Sequence, residues 1–531
     1  LYSSRPLHWL ALLAVGGLLT VPNLGAHSLW DMDEGVNAEC GREMREAGTW
    51  IVPTFNWELR VAKPVLTYWL MRLSYDAVGV SEWAARLPSG LCGLGTLLVT
   101  YELGRRLFGP PTGLLAGVAL ASCVQHAVLS HAATPDAPLV LALTVAFALV
   151  WVGQENGGRG FLVWPGLAVG VAVLAKGPVG LALPGFAALL FFGRGRELGR
   201  LLDHRLLWGL LLVLLVAGPW YALVAAETRG EWPRAFFLNE NLTRATTPQE
   251  NHAGPVVYYV GCVLAFFAPW SAVIGAALWD AGRSGDRGCR FLLAWTLAVL
   301  LPFSLARTKL PNYVAPVYPA LALLTARFLV RWARGQVTLP RWVTAVAVGG
   351  VAVTGLAYTV GLVVAAQPQA GRHFPGLERW AWVGGFPLAA AAVLAVSRRA
   401  GVVALAAAAV ALVGVLAAGP PRVIDRYKAA KGLVLESGAH DLDRDLRLAT
   451  YAYSSDNQSL VFYAERRVQP LFAADQAAGF LALPRPAILF VPAKTWEVEL
   501  ATRPELAGCR VLARRYDFYK HADILAVGNG R

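Results

Sequence analysis

Charge is scarce in this sequence. Of its 531 residues only 15% are Asp, Glu, Lys or Arg, while 56% are hydrophobic and the mean hydropathy is +0.49. A soluble chain carries roughly 25% charged residues, so a soluble globular protein is excluded. Cysteine is also sparse. Cys40, Cys92, Cys123, Cys262, Cys289 and Cys509 are scattered with no CxxC pair and no metal-like spacing, which argues against a zinc site. Cys92, Cys123 and Cys262 fall in apolar runs, where a free thiol behaves as a small hydrophobe. A Cys40–Cys509 disulfide is topologically allowed, but nothing requires it. HExxH, GxSxG and Walker-type glycine loops are missing from any usable context, so none of those chemistries is indicated. There is no repeat at solenoid spacing and no low-complexity linker.

Long apolar runs, by contrast, recur from Leu7 to about Ala418, many close to the ~20 residues that cross a bilayer. They predict a polytopic α-helical membrane protein with about thirteen spans, near 7–25, 84–103, 112–131, 136–153, 161–175, 178–193, 207–226, 255–279, 291–306, 311–329, 342–365, 381–397 and 401–418. The first span has no convincing cleavage site after it and is expected to remain as a helix. With the N-terminus inside, the inner loops hold Arg105, Arg106, Arg159, Arg194, Arg196, Arg200, Arg205, Arg283, Arg287, Arg290, Arg331, Arg334, Arg341, Arg398 and Arg399. That is the inside-basic bias of membrane proteins. The net charge of +13 is therefore mostly an orientation signal, and nucleic acid is not an expected partner.

This topology places residues 26–83, residues 227–254 and everything after Gly419 outside. In "DEGVNAECGREMREAGTW", Val36, Cys40, Met44 and Ala47 share a helical face, with Glu39, Arg42, Glu43 and Glu46 on the others. The pattern predicts an amphipathic helix lying at the interface. "KPVLTYWLMRLSYDAVGV" predicts a second, with Pro64 in its first turn. Residues 1–419 thus form a membrane domain, with 26–83 as its first external loop. Residues 420–531 turn polar, with strand-like runs "LRLATYAY", "SLVFYAE", "AILFVPA" and "ADILAVG" and a helix-former, "AADQAAGFLAL". That alternation predicts a small C-terminal α/β domain.

The informative polar residues lie at the outer ends of the spans. Three carboxylates, Asp31, Asp33 and Glu34, crowd "LWDMDEG" just past the first span. Asp33 precedes the first amphipathic helix, so it reads either as a helix N-cap or as a base kept ionised by the helix end. Asp136, in "AATPDAPLV", carries the same two readings. Lys63 in "RVAKPVLTYW", Lys176 in "LAKGPVG", and Arg307 and Lys309 in "ARTKLPNYVAP" break the inside-basic pattern. Each reads either as a snorkelling anchor or as part of a grip on an anionic headgroup, a phosphate or pyrophosphate at bilayer depth. His252, in "QENHAGPVVYYVG", reads as a capping or headgroup residue, and Tyr313 beside Lys309 as a belt residue or a phosphate hydrogen-bond donor. Asp31 and Asp33 form a DxD, and with Glu34 they have donors for a divalent metal, but no metal or other cofactor is demanded.

Six motifs then carry a resemblance: "DMDEG…NAECGREM", "AKPVLTYWL", "ATPDAPL", "LAKGPVG", "NHAGPVVYY…APW" and "RTKLPNYVAPVYPALALL". In this order the sequence resembles the bacterial protein O-mannosyltransferase-like GT-C membrane glycosyltransferases, the branch that includes the aminoarabinose transferase of lipid A. The resemblance implies a monomeric enzyme of the bacterial inner membrane with its site and C-terminal domain facing the periplasm. Such enzymes move a sugar, with inversion, from a polyprenyl-phosphate carrier to a lipid, polysaccharide or protein acceptor. It makes Asp33 the catalytic acidic residue, with Asp136 as a second catalytic candidate, and Lys63 and Tyr313 the holders of the carrier phosphate. Asp136, Lys176 and His252 become further polar cavity positions, with Glu34, Arg307 and Lys309 as supporting contacts. The lipid A enzyme reads D-E-A-R-Y where this chain reads "DEGVN", so Val36 stands in place of a phosphate-binding Arg, and Arg307 is the expected substitute. The alternative is a polyprenyl-lipid flippase or a lipid-binding protein without activity. A transporter is disfavoured because the ionisable residues sit at span ends, with no inverted repeats.

Overall fold

The computed structural model describes residues 5–155, 159–243, 254–368, 373–443, 445–453 and 458–531. The first half is built from α1 (Arg5–Thr20), α2 (Asp33–Glu46), a short hairpin of β1 (Thr54–Phe55) and β2 (Glu58–Leu59), and α3 (Leu66–Val78). There follow α4 (Glu82–Phe108), α5 (Pro110–Ala121), α6 (Val124–Ser130), α7 (Asp136–Glu155), α8 (Pro165–Lys176), α9 (Val179–Arg194) and α10 (Arg205–Glu227). Local chemistry sets several boundaries. The Ser81 hydroxyl accepts from the Ala84 N–H at 3.2 Å and opens α4, and Pro110 stands at the first position of α5.

Each of the thirteen predicted spans falls on a helix or a bent helix pair. Among the described residues seven helices are long and apolar enough to cross a membrane, and nine spans result if each bent pair counts as one. The pairs are Pro110–Ala121 with Val124–Ser130, bent by 64°, and Tyr258–Phe266 with Trp270–Arg283, bent by 116°. The other four are α1, with 16 residues, the shorter apolar α8 and α9, and α4, whose buried Arg86, Ser89, Thr96 and Thr100 make it more polar. The helices differ sharply in what surrounds them. In an 18-residue apolar stretch of Pro311–Ala333, 89% of the residues are buried inside the protein, whereas the matching stretch of Arg341–Ala365 is only 17% buried. On α10, Leu207, Trp208, Leu214 and Leu215 all face outward. An apolar surface this continuous belongs in lipid.

The external segment departs from expectation at α2. It is no half-exposed interfacial helix: every residue from Glu34 to Met44 is buried. The apolar stripe, Val36, Cys40 and Met44, packs on Tyr68, Leu174 and Trp220. Of the charged residues, Glu39, Arg42 and Glu43 are buried as well, and Glu46 is exposed. Arg42 pairs with Glu39 and, at 2.5 Å, with Glu46, while Glu43 accepts from the Thr54 hydroxyl and the Trp57 N–H. Helical periodicity is present, but a second layer covers the face that water was expected to occupy. Pro64 lies just ahead of α3 and not within its first turn.

That second layer comes from the C-terminal segment. Five strands, β3 (Arg447–Tyr451), β4 (Val468–Leu471), β5 (Ala487–Pro492), β6 (Arg510–Asp517) and β7 (Ala522–Gly528), form one sheet in the order β4-β3-β5-β7-β6. β3 pairs in parallel with both β4 and β5, and β7 runs antiparallel to β5 and β6. Alternate residues of β5 serve opposite faces. Ile488 and Phe490 pack with Leu433, Val434 and Leu460, while Leu489 and Val491 pack with Ala477, Phe480 and Leu481. Burial on both faces explains the unbroken apolar run. One expected strand is a helix: "SLVFYAE" forms Ser459–Ala464. It packs against α2, and a Cβ on Gly35 would lie 2.5 Å from the Ser459 nitrogen, so only glycine permits the contact. All six cysteines are free thiols, Cys40 and Cys509 included.

Candidate functional site

The stretch "LWDMDEG" folds so that its three carboxylates have three different fates. Glu34 is buried and fully engaged. It accepts from Arg86 Nε at 2.9 Å and Nη2 at 2.7 Å, from the Trp30 N–H at 2.8 Å and from the Ala133 N–H at 2.6 Å. Burial alone would raise its pKa, but Arg86 and the backbone donors hold it below the usual carboxylate range. These bonds give it a structural role, and it also borders the cavity beside Asp33. Asp31 accepts from the Ser459 N–H at 2.6 Å and the Ser459 hydroxyl at 2.8 Å, and burial pushes its pKa up to about 7. Asp33 alone is exposed and takes part in no hydrogen bond or ion pair among the described residues. It is also not the N-cap of α2. Met32 occupies that position, and Asp33 begins the first turn, where the helix end favours a negative charge.

Asp33 borders a cavity of about 470 Å³ whose walls include His27, His131, Val124, Val128, Val413 and Leu416. His27 is kept neutral there, since burial, and then Arg86, push its pKa down to about 4. The cavity thus offers one unpartnered carboxylate against a largely aliphatic wall.

The cations gather in a second cavity, of about 190 Å³, bordered by Lys63, Lys176 and Tyr313 together with Phe236, Glu240 and Thr308. Lys176 is the last residue of α8, and Gly177 ends the helix at φ +71 with Phe236 against it, a place that a side chain could not occupy. The Lys176 ammonium pairs with Asp136 and lies 5.3 Å from the centroid of the Tyr313 ring. Asp136, buried at the head of α7, accepts a second hydrogen bond from Asn312 Nδ2 at 3.0 Å. The segment joining α6 to α7 links the two cavities: His131, Ala132 and Thr134 border the first, and Leu139, one turn beyond Asp136, borders the second.

Lys63, Lys176 and Tyr313 therefore share a site, with Asp136 bonded to Lys176, while Asp33 stands at the neighbouring cavity. Lys309 does not join them. Its ammonium donates to the carbonyls of Phe303 at 2.8 Å and Ser304 at 2.6 Å, closing the end of the helix Arg287–Leu305. Arg307 is exposed and borders neither cavity. Val36 is buried in the apolar packing beneath α2, so a charge at that position would have no room. His252 lies outside the described residues. Among those described, no three His, Cys, Asp or Glu side chains converge where a metal could sit. Sequence reasoning missed Asn312 and Glu240. Asn312 adjoins Tyr313 within a quoted motif, but its acceptor is 176 positions away.

Comparison with known proteins places the fold. The family model for dolichyl-phosphate-mannose-protein mannosyltransferases matches residues 62–222. The undecaprenyl phosphate-α-4-amino-4-deoxy-L-arabinose arabinosyl transferase of Edwardsiella ictaluri is 31% identical over 331 residues, covering 61% of this chain and 59% of the relative. That of Pseudomonas aeruginosa (strain UCBPP-PA14) is 32% identical over 336 residues, covering 62% and 60%. The matched part thus spans about three fifths of these curated relatives. The crystal structure of ArnT from Cupriavidus metallidurans bound to undecaprenyl phosphate superposes with a TM-score of 0.82 at 25% identity, over 98% of this chain and 97% of that one. In fold over nearly its whole length, and in sequence over about three fifths of it, the chain is similar to the ArnT-like GT-C membrane glycosyltransferases.

Proposed function

We propose that the chain is an inverting glycosyltransferase that takes a sugar from an undecaprenyl-phosphate-type donor and delivers it to a lipid, polysaccharide or protein acceptor. The observation that carries this reading is the juxtaposition described above: an unpartnered carboxylate at one cavity and Lys63, Lys176 and Tyr313 at the next, joined by the segment around Asp136. In the reaction the bond between the anomeric carbon and the phosphate oxygen breaks, and the polyprenyl phosphate leaves with the electron pair. Cations fixed in advance stabilise that developing charge more effectively than water would. Asp136 and Asn312 hold Lys176 in place without needing to touch the donor. The acceptor oxygen attacks from the opposite face, and Asp33 receives its proton if it is a hydroxyl. As written, the step requires no cofactor.

We further place residues 1–419 in a thirteen-span membrane domain and residues 420–531 in a separate domain, both cavities opening toward the periplasm. A flippase would also bind a polyprenyl lipid, but it would need no base. The test incubates purified protein with radiolabelled undecaprenyl phosphate-α-4-amino-4-deoxy-L-arabinose, or other undecaprenyl-phosphate sugars, and acceptors that include lipid A. Asp33→Asn and Lys63→Ala are each expected to abolish label transfer while the protein stays folded in the membrane. Full activity in Asp33→Asn would overturn the assignment.

A further inference from the structure

The backbone just ahead of Asp33 is held in an unusual way. Residues 28–31 belong to no helix or strand, yet each of their N–H groups has a side-chain acceptor. Ser28 N–H donates to Asp425 Oδ1 at 2.9 Å, Leu29 N–H to the Tyr463 hydroxyl at 2.7 Å, Trp30 N–H to Glu34 at 2.8 Å and Asp31 N–H to the Tyr519 hydroxyl at 3.1 Å. Three of the four acceptors come from the C-terminal segment, between 397 and 488 positions away. The carbonyls are bound as well. Lys428 Nζ donates to Ser28 O at 2.6 Å and Leu29 O at 3.3 Å, and lies 4.3 Å from the centroid of the Trp30 ring. Ser459 then binds the Asp31 carboxylate twice.

The Asp33 carboxylate has no hydrogen bond among the described residues, so its place is inherited from the residues on either side. Glu34 is fixed from below by Arg86 and Ala133, and residues 28–31 are fixed from above by the C-terminal segment. A catalytic group must be held within about 0.5 Å of its productive place, and a misplacement near 1 Å costs on the order of a hundredfold in rate.

We propose that Asp425, Lys428, Ser459, Tyr463 and Tyr519 are positioning residues for the transfer reaction, which makes the C-terminal segment part of the apparatus that presents the Asp33 carboxylate to the acceptor. The inference rests on the transferase reading above. It assigns these five side chains a task distinct from general stabilisation, because they converge on four residues next to Asp33, whose carboxylate has no partner among the described residues.

The test uses the full-length protein in detergent or nanodiscs. Tyr463→Phe/Tyr519→Phe removes two acceptor hydroxyls and keeps both rings. Transfer is measured from undecaprenyl phosphate-α-4-amino-4-deoxy-L-arabinose, and the undecaprenyl phosphate sites per chain are counted by titration. In parallel, amide hydrogen exchange is followed by mass spectrometry. The expected result is a fall in kcat per binding site of about tenfold or more with donor KM changed by less than about twofold. Exchange should rise in the peptide covering residues 26–34 and stay unchanged in the peptide covering β5. If the double variant does not fold, Tyr519→Phe alone carries the test, with a loss of about threefold expected. An unchanged kcat per site while exchange at 26–34 rises would overturn the proposal, as would a loss of activity accompanied by equal loosening of β5. A wild-type protein that binds undecaprenyl phosphate but turns over no donor would overturn the transferase reading, and the positioning role with it.

Discussion

Two adjacent carboxylates, Asp33 and Glu34, show how little residue type alone decides. Asp33 is exposed and its side chain has no partner among the described residues, so Asp33→Asn should leave thermal stability within about 0.5 kcal/mol of wild type, as surface changes do. Glu34→Gln instead leaves the buried Arg86 guanidinium without its counter-charge. Breaking a buried pair from one side costs roughly 3–5 kcal/mol, so this variant should unfold at a clearly lower temperature or fail to accumulate. A thermal melt of both in the same detergent checks the contrast. Asp31 provides a pH test. Its pKa rises on folding from the ordinary 3.8 to about 7, so the folded protein holds the extra proton between those values. Its contribution to stability is therefore full below that window and is lost as pH rises through it, by at most about 1.4 kcal/mol per unit. Glu39, also buried and raised to about 7, titrates in the same range, so the measurement is the difference between wild type and Asp31→Asn. The stability advantage of wild type should shrink from pH 5 to pH 8, and parallel profiles would refute it. The sequence and the family resemblance together pointed to Asp33. They could not show that Asp31 and Glu34 were already engaged, because Ser459, Arg86 and Ala133 lie 428, 52 and 99 positions away.

At the scale of elements, legibility followed how local the cause was. Spans were readable because an apolar run signals burial in lipid or protein wherever it folds. β5 and β7 were readable for the same reason, being buried on both faces. β6 was not: its outer positions carry Arg510, Arg514 and Arg515, the charges with which an edge strand discourages further pairing. "SLVFYAE" misled because a run this short and apolar suits either a strand or one and a half turns of helix. Its contact with α2 decides between them. That contact has a single-atom test. Gly35→Ala would drive a methyl group into the backbone of Ser459, and neither helix can yield without dragging its own layer. Overpacking of this kind costs about 1–3 kcal/mol. The expected readout is faster limited proteolysis within residues 445–531, with the helices of residues 82–333 still protected. Equal protection of both regions would show that α2 and Ser459–Ala464 are not tightly apposed in the membrane.

For the whole molecule, the lipid-facing helices, the two cavities and the C-terminal sheet share one orientation test. The proposed periplasmic orientation requires that the sheet stand on the outer side and the turn at Ser397–Arg399 on the inner side. Both places offer an exposed residue for chemical labelling. Asp475 is 90% exposed at the head of a sheet-packing helix, and Arg399 is exposed in the first turn of Arg398–Ala418. The native thiols are buried or half-buried and contribute little background. In cells with a permeabilised outer membrane, Asp475→Cys should react with a membrane-impermeant maleimide, whereas Arg399→Cys should react only after lysis. The charge asymmetry behind this expectation is the strongest orientation signal a membrane sequence carries. The proposed chemistry depends on the same result, because the C-terminal side chains that hold Ser28–Asp31 must stand on the same side of the membrane as Asp33. The opposite labelling pattern would turn both cavities toward the cytoplasm and remove the basis for a periplasmic acceptor.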